Sequence, residues 1–535
     1  MLSLFFRRDM TAKILLRLFF SLVFAASVWS IDLDSLIIKS LGGQEALEKI
    51  KSLKNYRVIG KINWNGLKGN YKGQFKSPNK IKLTADFGSF SIVQGFDGTT
   101  VWQKDLHGRV YDLAGFEKKE FMRSVYVMSF AYALPGRLRE NIQYGEIVED
   151  DSMAFHEVFF HPSPDDTITV LFDVAEELQR TQFSWLDNLL VQTEIEDYRS
   201  IGGLLIPFHT ISKGANTPIL TEIILDSVVF DSNPDTTNFT KPTIILDDYS
   251  FPADSVSLTI PFKFYNGHVY VTAKINGVKK GWFILDTGAS ATYYHAEFTK
   301  GTLLKNVGEI PSMGLGGYQQ MQLVGLDSLE IGNLVMYHQT AGVMPLEGFA
   351  AQSLDPANFG GILGYDFFMR FPVLFDFKKQ ELTVFNPRKF ALPPNGHECP
   401  LRLTMMIPSI TAQINGVTGQ FIIDMGSAFG LIIHQKFGET LVKESIITAD
   451  STSTQAIQGI GAGVTARNIP IRNLQIGAYN INIPEAVLAE SSEGLTGSWE
   501  IAGNIGTEVL EQYGLLFDYP NSRVVFYDMV NPVSK

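Results

Sequence analysis

Cysteine is almost missing: Cys399 is the only one in 535 residues. That excludes an internal disulfide and any metal cluster built on cysteine. It lies far from the N-terminus, so it is not the lipid-carrying first residue of a lipoprotein. Histidine is sparse too, nine residues with no His-Glu-x-x-His arrangement. No histidine is therefore read as a metal ligand, and neither a metal nor a cofactor is expected. Positive charge is in deficit, with 44 Lys and Arg against 56 Asp and Glu, a formal net charge of −12. Without a basic, aromatic-interleaved patch to reverse that balance, nucleic acid is not expected as a partner. No apolar run reaches the ~20 residues that cross a bilayer, so no stable membrane span is expected.

The longest apolar stretch that is present runs from Leu18 to Ala26. Arg7, Arg8, Lys13 and Arg17 precede it, and the small residues Ala25, Ser27 and Ser30 lie at its end. Basic region, short apolar core and small residues make the layout of a secretory signal peptide, with Met10 as an alternative start. Residues 1–30 are thus expected to be removed and the mature chain exported, to a periplasm or the extracellular medium. At 535 residues the chain exceeds one core, and about three domains is the natural expectation.

After residue 30, Leu36, Leu41, Ala46, Leu47, Ile50 and Leu53 recur at near-helical spacing, interrupted by Gly42-Gly43. From Tyr56 the period changes to two. A strand leads into Asn65-Gly66, a hairpin turn signal, and strands follow at 71–76, 80–85, 89–96 and 99–104. The runs Gln94-Gly95-Phe96-Asp97-Gly98-Thr99-Thr100-Val101-Trp102 and Asp197-Tyr198-Arg199-Ser200-Ile201-Gly202-Gly203, with Pro207, resemble exported half-barrel domains akin to the lipoprotein-localisation carriers. That resemblance spans residues 31–245 and implies a groove for an apolar or lipid ligand. Read by themselves, Phe96, Trp102 and Tyr111 serve equally well as packed core. The polar stretch between Lys241 and Val256, with Asp247-Asp248 and Pro252, marks a boundary.

From Val256 the chain repeats. Ile275-Asn276-Gly277-Val278 precedes Asp286 as Ile414-Asn415-Gly416-Val417 precedes Asp424. Leu329-Glu330-Ile331-Gly332 is echoed by Leu474-Gln475-Ile476-Gly477, and Gly360-Gly361-Ile362-Leu363-Gly364 by Ala502-Gly503-Asn504-Ile505-Gly506. Leu374-Phe375-Asp376-Phe377 returns as Leu516-Phe517-Asp518-Tyr519. Four landmarks in one order predict two homologous β lobes, 256–390 and 398–530, joined by Leu392-Pro393-Pro394-Asn395-Gly396.

Phe283-Ile284-Leu285-Asp286-Thr287-Gly288-Ala289, followed by Ile362-Leu363-Gly364, resembles the pepsin and retropepsin aspartic peptidases. The second copy, Phe421-Ile422-Ile423-Asp424-Met425-Gly426-Ser427 with Asn504-Ile505-Gly506, resembles them again. The resemblance implies a mainly β chain: an N-terminal α+β half-barrel-like antiparallel sheet with a helix, then two all-β peptidase lobes in pseudo-two-fold arrangement. It implies a catalytic dyad of Asp286 and Asp424, and bracing strands at Ile362, Leu363, Gly364, Asn504, Ile505 and Gly506. Flaps are implied at Gly314, Gly316 and Gly317 and at Gly459, Gly461 and Gly463. Two carboxylates at ~3 Å cannot both ionise, so they hold one proton between them and can activate water on a polypeptide substrate. Met425 departs from the family's Thr or Ser, leaving Thr287 as the only hydroxyl of the two turns able to bond across. Ser427, after Gly426, is positioned to bond an ionised carboxylate where Ala289 cannot, which predicts a weakly acidic to near-neutral optimum. The expected activity is an exported aspartic endopeptidase acting as a monomer. The alternatives are a peptide- or lipoprotein-binding protein with a degenerate second lobe, and a dimer pairing lobes between chains.

Overall fold

The computed structural model describes residues 31–528 except 151–152, 215–219, 232–237, 254, 449–453 and 462. The expected signal segment, 1–30, lies outside the described residues. The protein is mainly β, and its chain separates into two units. One comprises residues up to Gly88, Ile92–Trp102 and Lys118–Lys241; the other comprises Ser89–Ser91, Gln103–Glu117 and Pro242 onward.

In the first unit, burial alternates along Asn55–Trp64, as a half-buried strand requires. It pairs with Leu67–Lys76 around Asn65-Gly66, both at positive φ (53° and 96°), the backbone of a two-residue hairpin turn. Its other edge pairs with Leu220–Phe230, Tyr56 opposite Phe230. The antiparallel sheet continues on one side through Leu204–Gly214, Leu189–Ile201 and Gln179–Leu186, and on the other through Lys80–Asp86 and Ser91–Phe96. The interrupted helical pattern becomes two helices, Leu33–Ser40 and Gln44–Ser52, because Gly42 and Gly43 both take positive φ (110° and 92°). Asp32 caps the first through the Asp34 and Ser35 N–H groups. Phe96 and Trp102 are packed core, and the Trp102 indole N–H donates to the Phe239 carbonyl at 2.9 Å.

The second unit holds two sheets of one plan. In the first, the strand Lys279–Leu285 runs parallel to Phe359–Leu363, with Ile284 opposite Ile362. In the second, Val417–Asp424 runs parallel to Ile501–Gly506, with Ile422 opposite Asn504. Each parallel pair is flanked by a hairpin partner, His268–Ile275 and Ile407–Ile414, and by a short crossing strand, Tyr293–His295 and Leu431–Ile433. Parallel strands buried on both faces need continuous apolar sequence, which Phe283-Ile284-Leu285 and Phe421-Ile422-Ile423 supply. A third, six-stranded sheet mixes strands of both halves. There Val373–Asp376 pairs with Tyr513–Asp518, Leu374 opposite Leu516, so the last repeated landmark meets its own copy.

The segment Gln103–Glu117, which the sequence leaves inside 31–245, packs in this second unit. Asp105 accepts hydrogen bonds from the His107 and Arg109 backbones and from the Tyr365 hydroxyl at 2.7 Å. The Arg109 guanidinium donates to the Tyr519 carbonyl. Tyr111, the third aromatic weighed between groove and core, is buried in this segment, and its hydroxyl accepts from Gln103. Phe116 donates its N–H to Glu500, and Glu117 accepts from the Met405 N–H. The segment thus bonds to residues of both halves.

Candidate active site

Each parallel strand pair ends in a tight turn that carries a carboxylate. Asp286 bonds the turn at the Gly288 N–H (2.7 Å), and Asp424 does the same at Gly426 (2.9 Å). The two turns abut so closely that a methyl on Gly288 would overlap the Asp424 carboxyl, and one on Gly426 that of Asp286. Only glycine permits this approach. The carboxyl groups share a hydrogen bond.

Thr287 ties the turns together. Its hydroxyl donates to the Ile423 carbonyl at 2.6 Å and accepts from the Met425 N–H at 2.9 Å. The reciprocal hydroxyl is absent because Met425 is a thioether, wholly buried. Its turn is held otherwise: the Thr507 hydroxyl donates to the Met425 carbonyl at 3.3 Å. On the first side the Tyr519 hydroxyl donates to the Thr287 carbonyl at the same distance. Thr507 is not marked by the sequence pattern, and Tyr519 is marked only as the last residue of a repeated landmark, not for this contact.

The residues read as bracing divide by role. Ile362 and Leu363 are buried apolar partners of the Asp286 strand, and Leu363 accepts the Asp286 N–H through its carbonyl. Ile505 does the corresponding packing against Ile423. Gly364 and Gly506 leave room for the Ala291 and Phe429 carbonyls, against which any side chain would collide. Asn504 is different. Its amide donates to Asp424 Oδ2 at 2.6 Å, a contact with no counterpart at Ile362. Behind it, His434 Nε2 lies 2.8 Å from Asn504 Oδ1.

Burial, then the neighbouring Asp424 charge, pushes Asp286 well above the ordinary carboxylate range. Burial also raises Asp424, but the Asn504 amide and the Gly426 and Ser427 backbone N–H groups pull it back. The sequence assigns that assistance to the Ser427 hydroxyl. The structure corrects it: Ser427 Oγ is buried without a hydrogen-bond partner, and the backbone N–H does the work. The hydroxyl is turned toward the glycine of the bracing strand, Gly506, rather than toward the carboxylate.

The carboxylates lie at the floor of a cavity of about 620 Å³, walled by Met313, Leu315, Phe349, Phe429, Ile457 and Ile460. Two glycine-rich hairpins roof it. The strands Lys305–Gly314 and Gly317–Ile331 turn through Leu315-Gly316, and Thr454–Ile457 and Val464–Pro470 flank the other tip. The tips touch: Gly314 lies against the Ile460 carbonyl, Gly459 against Leu315, and Gly461 against the Gly317 carbonyl. Gly463 stands outside this contact, beside the Ile457 carbonyl. The Leu315 carbonyl accepts from the Thr496 N–H and hydroxyl, both at 3.2 Å.

The family model described as aspartyl protease matches residues 271–367, the run that carries Asp286 and Gly364. Among solved structures, the aspartic proteinase from Irpex lacteus is similar at 12% identity and a TM-score of 0.34, covering 51% of this chain and 98% of its own. No curated protein sequence matches the chain. Among the described residues, no helix is long and apolar enough to cross a membrane.

Proposed function

We propose that the second unit is an aspartic endopeptidase in which Asp286 and Asp424 form the catalytic dyad within one chain. The observation that carries this reading is the pair of hydrogen-bonded, half-buried carboxyl groups on abutting turns beneath a roofed cavity. One proton serves both groups. The ionised member takes a proton from a water molecule, and the protonated member gives its own to the scissile carbonyl oxygen as the water oxygen adds. Collapse of the tetrahedral diol breaks the C–N bond and returns a proton to the leaving amine. The apolar walls favour an extended polypeptide with apolar side chains at the cleaved bond. The mature chain is proposed to act after export, as a monomer, since both turns come from the same chain.

A digest of a peptide library by the purified protein in H₂¹⁸O tests this. Direct attack by water places one ¹⁸O in each new C-terminal carboxylate, and a chain that cleaves no peptide at any pH from 3 to 8 ends the proposal. The roof carries its own prediction. Gly461 has φ +96°, and a methyl there would sit 2.7 Å from the Gly317 carbonyl. Gly461→Ala is therefore expected to lower kcat/KM about tenfold, equivalent to about 1.4 kcal/mol, while the Tm moves by less than about 2 °C. An unchanged kcat/KM would show that the tips need not close for hydrolysis.

A further inference from the structure

The two halves match strand for strand around the dyad, and the mismatch lies in what stands behind each carboxylate. Tyr293 pairs with Ile362 as Ile432 pairs with Asn504, so Ile362 and Asn504 hold equivalent positions. The same register makes His295 and His434 equivalents. His295 Nδ1 accepts the Leu346 N–H at 3.2 Å, a purely structural bond. His434 instead turns Nε2 to Asn504 Oδ1, with Nδ1 3.2 Å from the Ile501 carbonyl. An amide, 3% exposed, thus replaces the apolar Ile362 of the first half, and the buried imidazole beside it faces that amide instead of a backbone N–H.

Buried polar groups of this kind lose stability with each hydrogen bond left unmade, so the shortest contacts set their orientation. The Asn504 amide nitrogen faces Asp424 Oδ2 at 2.6 Å and its Oδ1 faces His434 Nε2 at 2.8 Å. The proton of the neutral imidazole therefore sits on Nε2, and the longer 3.2 Å approach of Nδ1 to the Ile501 carbonyl carries no hydrogen bond. The flipped amide would set two oxygens 2.6 Å apart and would need Asp424 protonated. The chain of donors therefore runs one way, and its end favours a negative charge on Asp424. Among the described residues no side chain donates to Asp286, because Ile362 stands where the amide would be; toward Asp424 it is itself the donor.

We infer that Asn504, oriented by His434, makes Asp424 the carboxylate that stays ionised and accepts the proton of water, leaving the shared proton on Asp286. This rests on the peptidase reading above. Asn504 and His434 are positioning residues: they exchange no proton and act through Asp424. The ionisable groups around Asp424 are Asp286 across the turns and Tyr519, whose hydroxyl bonds the Thr287 carbonyl, with Arg109 bonded to the Tyr519 carbonyl. His434 packs between the strand Ile501–Gly506 and its own helix, Gln435–Lys443, and its ring meets the Asn504 amide and the Ile501 carbonyl.

The full chain with Asn504→Leu tests the assignment through the pH dependence of kcat/KM. A hydrogen bond to a charged group lost from the ionised state should move the acid limb up by about one to two pH units. His434→Phe, which frees the amide to rotate, should move it in the same direction by less. His295→Asn, which keeps an acceptor for Leu346, should leave the limb in place. Titration of ¹³C-carboxyl-labelled aspartate by NMR reads the same quantity without turnover. It should show the first ionisation of the coupled pair raised in both variants of the second half. An acid limb and first ionisation unmoved by Asn504→Leu and His434→Phe would overturn the inference even in an active enzyme. A wild type that ionises in this way but hydrolyses nothing would uphold it and sink the peptidase reading instead.

Discussion

Asp286→Asn and Asp424→Asn are each expected to reduce peptide hydrolysis by at least about a thousandfold, the scale of losing a group that acts in the transition state. An amide can neither take a proton from water nor give one to a carbonyl oxygen at these pH values, so kcat should fall while KM changes little. The same substitution should raise stability. Burial and the Asp424 charge lift the folded-state pKa of Asp286 above its unfolded value. A carboxyl so shifted favours the folded state below the ordinary carboxylate pKa of about 4, and that contribution is lost as pH rises through the raised folded value. Asparagine does not titrate. The Tm of Asp286→Asn should therefore exceed that of the wild type at pH 7, and the gap should close as the pH falls toward 4. Full activity in either variant would remove that carboxylate from the mechanism. A Tm gap that widens on acidification would contradict the raised pKa.

The second large effect is expected far from the dyad in sequence. Arg109→Ala removes a buried guanidinium that bonds the Tyr519 carbonyl and draws the pKa of buried Asp105 downward against the effect of burial. Leaving Asp105 buried without that charge should cost about 3 kcal/mol, a drop of roughly 4–5 °C in the Tm of the second unit. Adding Asp105→Asn should recover part of the loss, since a neutral amide is cheaper to bury than an uncompensated carboxylate. Activity should fall with stability, because Tyr519 also donates its hydroxyl to the Thr287 carbonyl beside Asp286. Calorimetry of the single and double variants decides the matter. A single variant melting with the wild type would show that the contact bears no weight.

Much of the site could be read from the chain because the chemistry is written twice. Apolar residues leading into Asp-x-Gly are ambiguous at Asp286 alone, and the copy at Asp424 makes the pair visible. The glycines at 288 and 426 were legible for the same reason. Other parts were not. Its place in the repeat marks Asn504 as a bracing residue, and the lone amide where the other half has Ile362 is the signal of a buried polar contact. His434, after Leu431-Ile432-Ile433, carried the same signal. The position of Ser427 after the glycine does not reveal which way its hydroxyl turns. In the first unit, Asn65-Gly66 and Gly42-Gly43 fixed a hairpin and a helix break through local backbone preference. The placement of residues 103–117 has no local signature: period-two strands look alike whichever core receives them.

That placement bears on processing. Cutting the backbone between residues 242 and 253 would leave Asp105, Arg109 and Glu117 on the upstream fragment, still bonded to Tyr365, Tyr519 and Met405 on the downstream one. Such a nick would produce a two-chain protein in which residues 103–117 of the upstream chain remain a structural part of the second unit.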